Sequence, residues 1–425
     1  MMRAKAAVYA FLRWSERFTR TDMVYLAGGG FWLGLGYAFQ LASGIAIAIL
    51  LANWLPREAY GTYQFIISMS AILSGLTLTG IGTALMRAVA RGAKGALPYA
   101  FRLQLVWGFG IVIASFGVAL YYFINGNIEL ASAFLIVGAC APLLGAFSLY
   151  RPYLEGRKLF RDSTLLGAWR RPVPLIAIAA ALYLTDDPIL LVLVYFVSHT
   201  LSMGLLYLST VRKYAEPKEE HPEILSYGKH LSVMSIVGLV ANNLDNVLVF
   251  HYLGAAPLAI YALAQLPLIH TLKTFGLGGS LVFPKYATRT WHEIREGIGS
   301  KLALYSFATG IAVVAYIALA PFIFNAVFPA YPEAVIVSQV LILAVLAKPF
   351  TLYAQAFAAH GMKKIQHFVQ ISVSLLKLVL LFILLPIFGL WGAAAAILIS
   401  TLYWCIILLI LFYSHKEQTT VSVQG

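Results

Sequence analysis

Between residues 24 and 413 the chain is a succession of apolar runs, each longer than twenty residues, separated by short breaks that hold most of the charge. A helical run of about 20 apolar residues crosses the hydrocarbon of a bilayer. Barrel strands would instead alternate apolar and polar positions over about 10 residues, and these runs are continuous. The whole chain is 61% hydrophobic and 11% charged, with a mean hydropathy of +0.83. A soluble domain carries roughly 25% charged residues, so a water-soluble fold is excluded. The runs predict an all-α integral membrane protein with about 12 transmembrane helices. They lie at 24–51, 62–86, 100–122, 130–152, 163–184, 188–210, 226–252, 257–283, 301–325, 334–359, 366–387 and 391–413.

The breaks alternate in charge. One set holds Arg87, Arg91, Lys94, Arg151, Arg157, Lys158, Arg161, Arg212, Lys213, Lys218, Lys285, Arg289, Arg295, Lys363 and Lys364. The other holds Arg57 as its one basic residue, with Glu58, Glu129, Asp186, Asp187 and Glu333. Basic loops stay on the cytoplasmic side, which predicts that both termini are cytoplasmic. The same asymmetry accounts for most of the +13 net charge, so no nucleic-acid partner is expected. A basic amphipathic segment at 1–22 is expected to lie on anionic membrane lipids, and no cleaved signal peptide is expected. Cys140 and Cys405 sit inside apolar runs as small packing residues.

Shifting the chain by 198 residues superposes the second and eighth spans without a gap: Tyr63 falls on Tyr261, Gly80 on Gly278, Arg87 on Lys285 and Arg91 on Arg289. A shift of about 205 places Gly156 and Lys158 on Gly361 and Lys363. Two parallel repeats of six helices are a transporter architecture. They predict an N-lobe at 23–210, a cytoplasmic linker at 211–225, a C-lobe at 226–413 and a tail at 414–425, the lobes forming a V around a central cavity.

Six charges lie well inside the spans: Arg170, Arg171, Asp245, Lys273, Lys348 and Lys377. Each costs roughly 2.5–3.5 kcal/mol at the bilayer centre, so together they would cost on the order of 15 kcal/mol against lipid. They are expected to face the bundle interior or an aqueous cavity. Five are cationic, and a cationic cavity attracts anions. Guanidinium groups fork onto phosphate oxygens and lysines act as point charges, so phosphate or pyrophosphate is the expected guest of Arg170, Arg171, Lys273, Lys348 and Lys377. Asp245 is the one acid at depth. With Asn242 and Asn246 it makes a polar stripe by the i, i+3, i+4 rule, and Asn243 lies beside it. Two roles stay open for this stripe: a structural ion pair with one of the cations, or a coupling site for H⁺ or Na⁺. His270, one turn from Lys273, is the histidine that best fits the cavity; His199, His230 and His251 fit core or interfacial positions.

Other patterns carry less. The glycines at 28–36 follow no strand and make no nucleotide loop. Pro172 and Pro174 predict a kink in the fifth span. No nucleotide-hydrolysis motif and no metal-ligand spacing occurs, so no cofactor is expected beyond a coupling ion.

The runs L-P-R-E-A-Y-G-T-Y-Q (55–64), G-I-G-T-A-L-M-R (80–87), Y-L-E-G-R-K-L-F-R (153–161), the segment 243–264 from N-L-D-N-V to Y-A-L-A, G-M-K-K (361–364) and F-G-L-W-G-A-A-A-A (388–396) resemble, in order and spacing, the polysaccharide transport family. That family belongs to the MOP superfamily, with MATE drug exporters and the lipid II flippase MurJ. The resemblance covers nearly the whole chain. It implies a MATE-like V of two lobes around a cationic cavity. It also implies a Wzx-type flippase, not an enzyme, that moves undecaprenyl-pyrophosphate-linked oligosaccharide (O-antigen, capsule or exopolysaccharide units) to the periplasmic leaflet of the bacterial inner membrane. A polysaccharide polymerase and other assembly proteins are the partners it implies. In one respect the chain departs: Asn246 stands where family members often carry a basic residue after the seventh-span aspartate. Two alternatives are weighed against this. A MATE-like exporter of small molecules would need a cavity richer in acids, and a glycopolymer polymerase or ligase would need a large outer loop.

Overall fold

A computed structural model describes residues 23–214, 216–217 and 220–415, with the backbone alone at 23–29, 275–281, 283 and 284. The basic segment 1–22, Lys218 and residues 416–425 of the tail lie outside the described residues. The described chain is helical throughout and shows no strand. Its helices are α1 (Met23–Trp54), α2 (Arg57–Leu73), α3 (Ile81–Ala90), α4 (Leu97–Ile124), α5 (Ile128–Phe147), α6 (Tyr150–Gly156), α7 (Phe160–Arg170) and α8 (Pro172–Leu184). They continue with α9 (Pro188–Tyr214), α10 (Pro222–Leu253), α11 (Ala255–Ala287), α12 (Trp291–Val327), α13 (Glu333–Leu341), α14 (Thr351–Ala359), α15 (Lys363–Phe388) and α16 (Leu390–Ser414).

Among the described residues 11 helices or joined helices are long and apolar enough to cross a membrane, and the bent pair α2–α3 brings the number to 12. Side chains such as Phe109, Ile113, Leu205, Phe307 and Phe322 are exposed, as hydrocarbon rather than water requires.

The second span is broken where the sequence reads S-G-L-T-L-T-G. Thr77 is extended, and its N–H and hydroxyl both turn back onto the Ser74 carbonyl at 3.1 and 2.7 Å. The Gly80 N–H, freed by the break, donates to Ser232 Oγ of α10 at 2.9 Å. A Cβ on Gly80 would stand 2.5 Å from the Leu231 Cβ and 2.8 Å from the Gly228 carbonyl. Only glycine lets α3 start this close to α10.

The fourth and tenth spans end in the same turn. Lys158 (φ 63°) and Gly361 (φ 69°) take the left-handed conformation two residues past the helix, after the caps Arg157 and His360. In each turn two N–H groups reach back. Lys158 donates to the Glu155 carbonyl and Leu159 to that of Leu154, both at 2.9 Å; Gly361 donates to Ala358 and Met362 to Phe357. This is the Schellman arrangement, usually built on glycine. It pairs Lys158 with Gly361, two residues off the alignment that matched glycine to glycine.

The chain packs into two compact units. The first holds the described residues through Leu51 together with Leu73–Ile236, and the second holds Ala52–Ile72 and everything described from Val237. These are not the sequential halves 23–210 and 226–413. Most of α2 groups with the second unit and the first half of α10 with the first. The core of the first unit runs through Ile81, Leu85, Leu97, Tyr153 and Leu154, all fully buried. That of the second runs through Trp291, Tyr353, Phe357, Leu408 and Phe412. In the second unit Gly61 of α2 meets the start of α11 so closely that a Cβ would fall 1.8 Å from the Ala255 carbonyl oxygen.

Candidate functional site

The intramembrane charges fall into two groups, one in each unit, with two lysines in neither. In the second unit Asp245 of α10 is 2% exposed. Three side chains converge on its Oδ2: Gln265 Nε2 at 3.0 Å and the Tyr261 hydroxyl at 3.2 Å, both from α11, and Lys377 Nζ of α15 at 3.3 Å. Its Oδ1 accepts from the Asn246 backbone N–H at 3.1 Å. The Lys377 ammonium also donates to the Ala241 carbonyl at 2.7 Å. Asn246 reaches the other way, its Nδ2 donating to Ser68 Oγ of α2 at 2.9 Å. Its Oδ1 is buried with no hydrogen-bond partner. Asn243 donates to the Leu239 carbonyl of its own helix. Asn242 is exposed, because it sits about 60° round the helix from Asp245, on the side away from Asn246. A single carboxylate thus ties three helices, α10, α11 and α15, and its neighbour Asn246 adds a fourth, α2.

In the first unit the fifth span breaks at its arginines. Pro172 has no N–H, so the Ala168 carbonyl loses its ordinary i+4 donor. The Arg171 N–H shifts onto that carbonyl at 3.3 Å. This strands the Gly167 carbonyl, and Arg171 Nε takes it, also at 3.3 Å. Arg171 therefore caps the break it sits on. Arg170 does not: its Nε and Nη1 are buried with no hydrogen-bond partner. Around Arg170 stand Tyr150 and Arg151 from α6 and Tyr195 and His199 from α9, all within electrostatic reach of it or of Arg171. Arg151 has a partner in Glu155, at 2.8 Å, one turn along its own helix. His199 Nδ1 is 2.9 Å from the Tyr195 carbonyl, so that nitrogen carries the proton. Three guanidinium groups and a histidine gather here, and among the described residues the ion pair belongs to Arg151, the most exposed of them.

Lys348, half-buried, lies in the 3₁₀ segment Ile342–Phe350 beside Pro349. Lys273 is exposed on α11, one turn past the half-buried His270. Neither lysine has an acidic partner among the described residues. Sequence reasoning missed Tyr261 and Gln265, which complete the Asp245 site, and Tyr150 and Arg151, which complete the Arg170 site. Tyr261 carried a signal, its match with Tyr63 in the repeat, and Gln265 lies one turn beyond it. Arg151 was legible only as one more basic residue at a span end. No group of three or more His, Cys, Asp or Glu that could hold a metal occurs among the described residues.

The fold is shared with solved transporters of the MOP superfamily. The lipid II flippase MurJ in an inward closed conformation superposes with a TM-score of 0.67 at 15% identity, over 90% of this chain and 87% of that one. An inward-facing multidrug resistance MATE transporter gives 0.66 at 14% identity, over 91% and 97%. A MOP transporter from Pyrococcus furiosus, described as having a binding pocket of reverse polarity, gives 0.62 at 16% identity, over 92% and 94%. No curated relative matches the chain. The polysaccharide biosynthesis protein family matches residues 26–280, from α1 through the second unit's Asp245, Tyr261 and Gln265. With well over half of its 425 residues matched on a MOP-superfamily fold, the chain belongs to the polysaccharide biosynthesis protein family.

Proposed function

We propose that the protein is a flippase that moves undecaprenyl-pyrophosphate-linked oligosaccharide from the cytoplasmic to the periplasmic leaflet of the bacterial inner membrane by alternating access. The cargo is an O-antigen, capsule or exopolysaccharide unit, and both termini lie in the cytoplasm. The observation that carries this is Arg170, a guanidinium at intramembrane depth with two buried, unpartnered nitrogens and further cations around it. A buried charge of this kind is strongly unfavourable alone. A pyrophosphate supplies what it lacks, several anionic oxygens that guanidinium groups meet in a fork. The polyprenyl tail stays in hydrocarbon while the charged head and glycan pass through the protein. Lys273 and Lys348, which have no acidic partner among the described residues, add positive charge in the second unit. Lys377 can join them only by leaving Asp245.

Family membership supports the polysaccharide side of this reading, and the MurJ-like fold supports transfer of a lipid-linked sugar. The protein acts without a catalytic site, alongside a polysaccharide polymerase and other assembly proteins. The fold also supports a MATE-like exporter of small molecules. The sign of the Arg170 cluster argues against cationic drugs for such an exporter, and a pocket of reverse polarity, as described for the P. furiosus protein, is in keeping with an anionic guest. Coupling to H⁺ or Na⁺, if carried by Asp245, must compete with the ammonium already beside it.

The test is leaflet exchange in liposomes of a fluorescent undecaprenyl-pyrophosphate oligosaccharide, read with an impermeant quencher. Wild type is expected to flip it. Arg170→Gln, folded normally, is expected to flip it about tenfold more slowly, the loss of one charged hydrogen bond of about 1.5–3 kcal/mol. Exchange no faster than in empty liposomes overturns the proposal.

A further inference from the structure

A cavity of about 450 Å³ opens in the first unit, where α3 ends and α10 begins. Its wall includes Arg87 and Arg91, one turn apart on α3, and His221, Glu223, Ile224 and Tyr227 from the start of α10. The Arg87 guanidinium lies over the Tyr227 ring, 4.5 Å from its centroid. Such stacking holds the group in place while leaving its edge N–H donors free. Neither arginine has an acidic partner among the described residues. The acid in the wall, Glu223, is met by His221 Nδ1 at 3.0 Å. Ile224 and the alanines of α3 make an apolar floor. Gly92, at φ 111°, turns the chain back so that Ala93 closes one side.

Basic residues at this membrane face need only reach water to orient the protein. That requirement explains neither a concave pocket nor a guanidinium fixed on a tyrosine. Two unpaired guanidinium groups one turn apart, over an apolar floor, suit a phosphate with an attached organic group, the oxygens lying between the arginines. Basic pockets between helices on the cytoplasmic side are where anionic headgroups bind. We propose that this cavity is a phosphate-binding site, separate from the intramembrane charges, filled by the phosphodiester of an anionic lipid headgroup or by a soluble phosphate. A bound phosphate would clamp the start of α10, the helix that carries Asp245, against α3.

The proposal is independent of what the protein transports, and its test uses no transport substrate. Full-length protein in detergent is titrated with phosphatidylglycerol, with phosphatidylcholine and with inorganic phosphate. Bound lipid is counted by native mass spectrometry and phosphate by calorimetry. Two variants are compared: Arg87→Gln with Arg91→Gln, and Ala93→Trp, which fills the cavity and keeps both charges. The expected result is that one anion binds the wild type and that both variants weaken it by about fivefold or more. Selective retention of phosphatidylglycerol over phosphatidylcholine, without a phosphate signal, assigns the lipid headgroup. A phosphate signal without lipid selectivity assigns the soluble source. If the double variant does not fold, Ala93→Trp alone decides. Equal binding by the wild type and the folded variants, or no binding by the wild type, overturns the proposal.

Discussion

Asp245 is an acid whose one oxygen takes an amide, a phenol and an ammonium, while the ammonium takes a carbonyl as well. A buried pair this well bonded is nearly neutral for stability as a whole, but removing one partner strands the other at about 3–5 kcal/mol. Asp245→Asn leaves the Lys377 ammonium, whose side chain is 16% exposed, without a counter-charge. It is expected to lower the thermal unfolding temperature in detergent well below wild type. Adding Lys377→Met is expected to restore much of that loss, since the double variant buries no charge. A coupling carboxylate behaves otherwise: Asp245→Asn would then keep wild-type stability and lose the dependence of flipping on a proton or sodium gradient. The two roles left open by the sequence thus separate on one melting curve, and the geometry argues for the pair.

At the scale of elements, the arginines of the fifth span are arranged by a proline. Pro172 removes one N–H, Arg171 repairs the carbonyls it strands, and Arg170 faces its cluster with Nε and Nη1 buried and unpartnered. Pro172→Ala restores the missing donor and lets α7 run into α8. It is expected to match or exceed wild type in thermal stability, because an interior proline costs about 3 kcal/mol of helix. It is also expected to slow flipping, because the backbone bonds around Arg170 and Arg171 change; unchanged flipping would show that the break does not aim Arg170. The interruption at Pro172 was legible in the sequence, as were the spans and all six intramembrane charges, because hydropathy reports both apolar length and its interruptions. The partners of those charges were not legible. Tyr261 and Gln265 are neutral and sit among apolar neighbours, so nothing in their own pattern marks them as ligands of an acid one helix away. The break in the second span was hidden too. Thr77 and Thr79 are apolar enough to continue a hydrophobic run, and it is their bonds to Ser74 and Ser235 that end the helix. The repeat at the ends of the fourth and tenth spans is two residues out of register with the glycine match, because one of the two left-handed positions is Lys158 rather than a glycine.

For the whole molecule, the division into compact units was not legible in composition, since α10 passes from one unit to the other without a break or a proline at the crossing. What the sequence does specify at this scale is direction. The basic ends of the spans fall together, with Arg57 the one basic residue in the opposite set of connections. Arg57 is itself engaged there, its guanidinium 3.2 Å from Glu333 and bonded to the Ala330 carbonyl. An arginine held by an acid and a carbonyl has a local reason to be where it is, so it does not weaken the charge asymmetry. The expected topology can be read by labelling. Cys140 and Cys405 are first replaced by alanine, and single cysteines are placed at the exposed Asp186 and Lys364. An impermeant maleimide is expected to label Asp186→Cys in spheroplasts, and Lys364→Cys only after permeabilisation. The reverse pattern would invert the protein and put the Arg87 cavity on the outer face. Retention of basic loops acts on charges within about 15–20 residues of a span. Moving three lysines into the connection at 185–187 is therefore expected to disturb insertion, read as loss of the Asp186→Cys label, far more than the same three lysines added after Lys364.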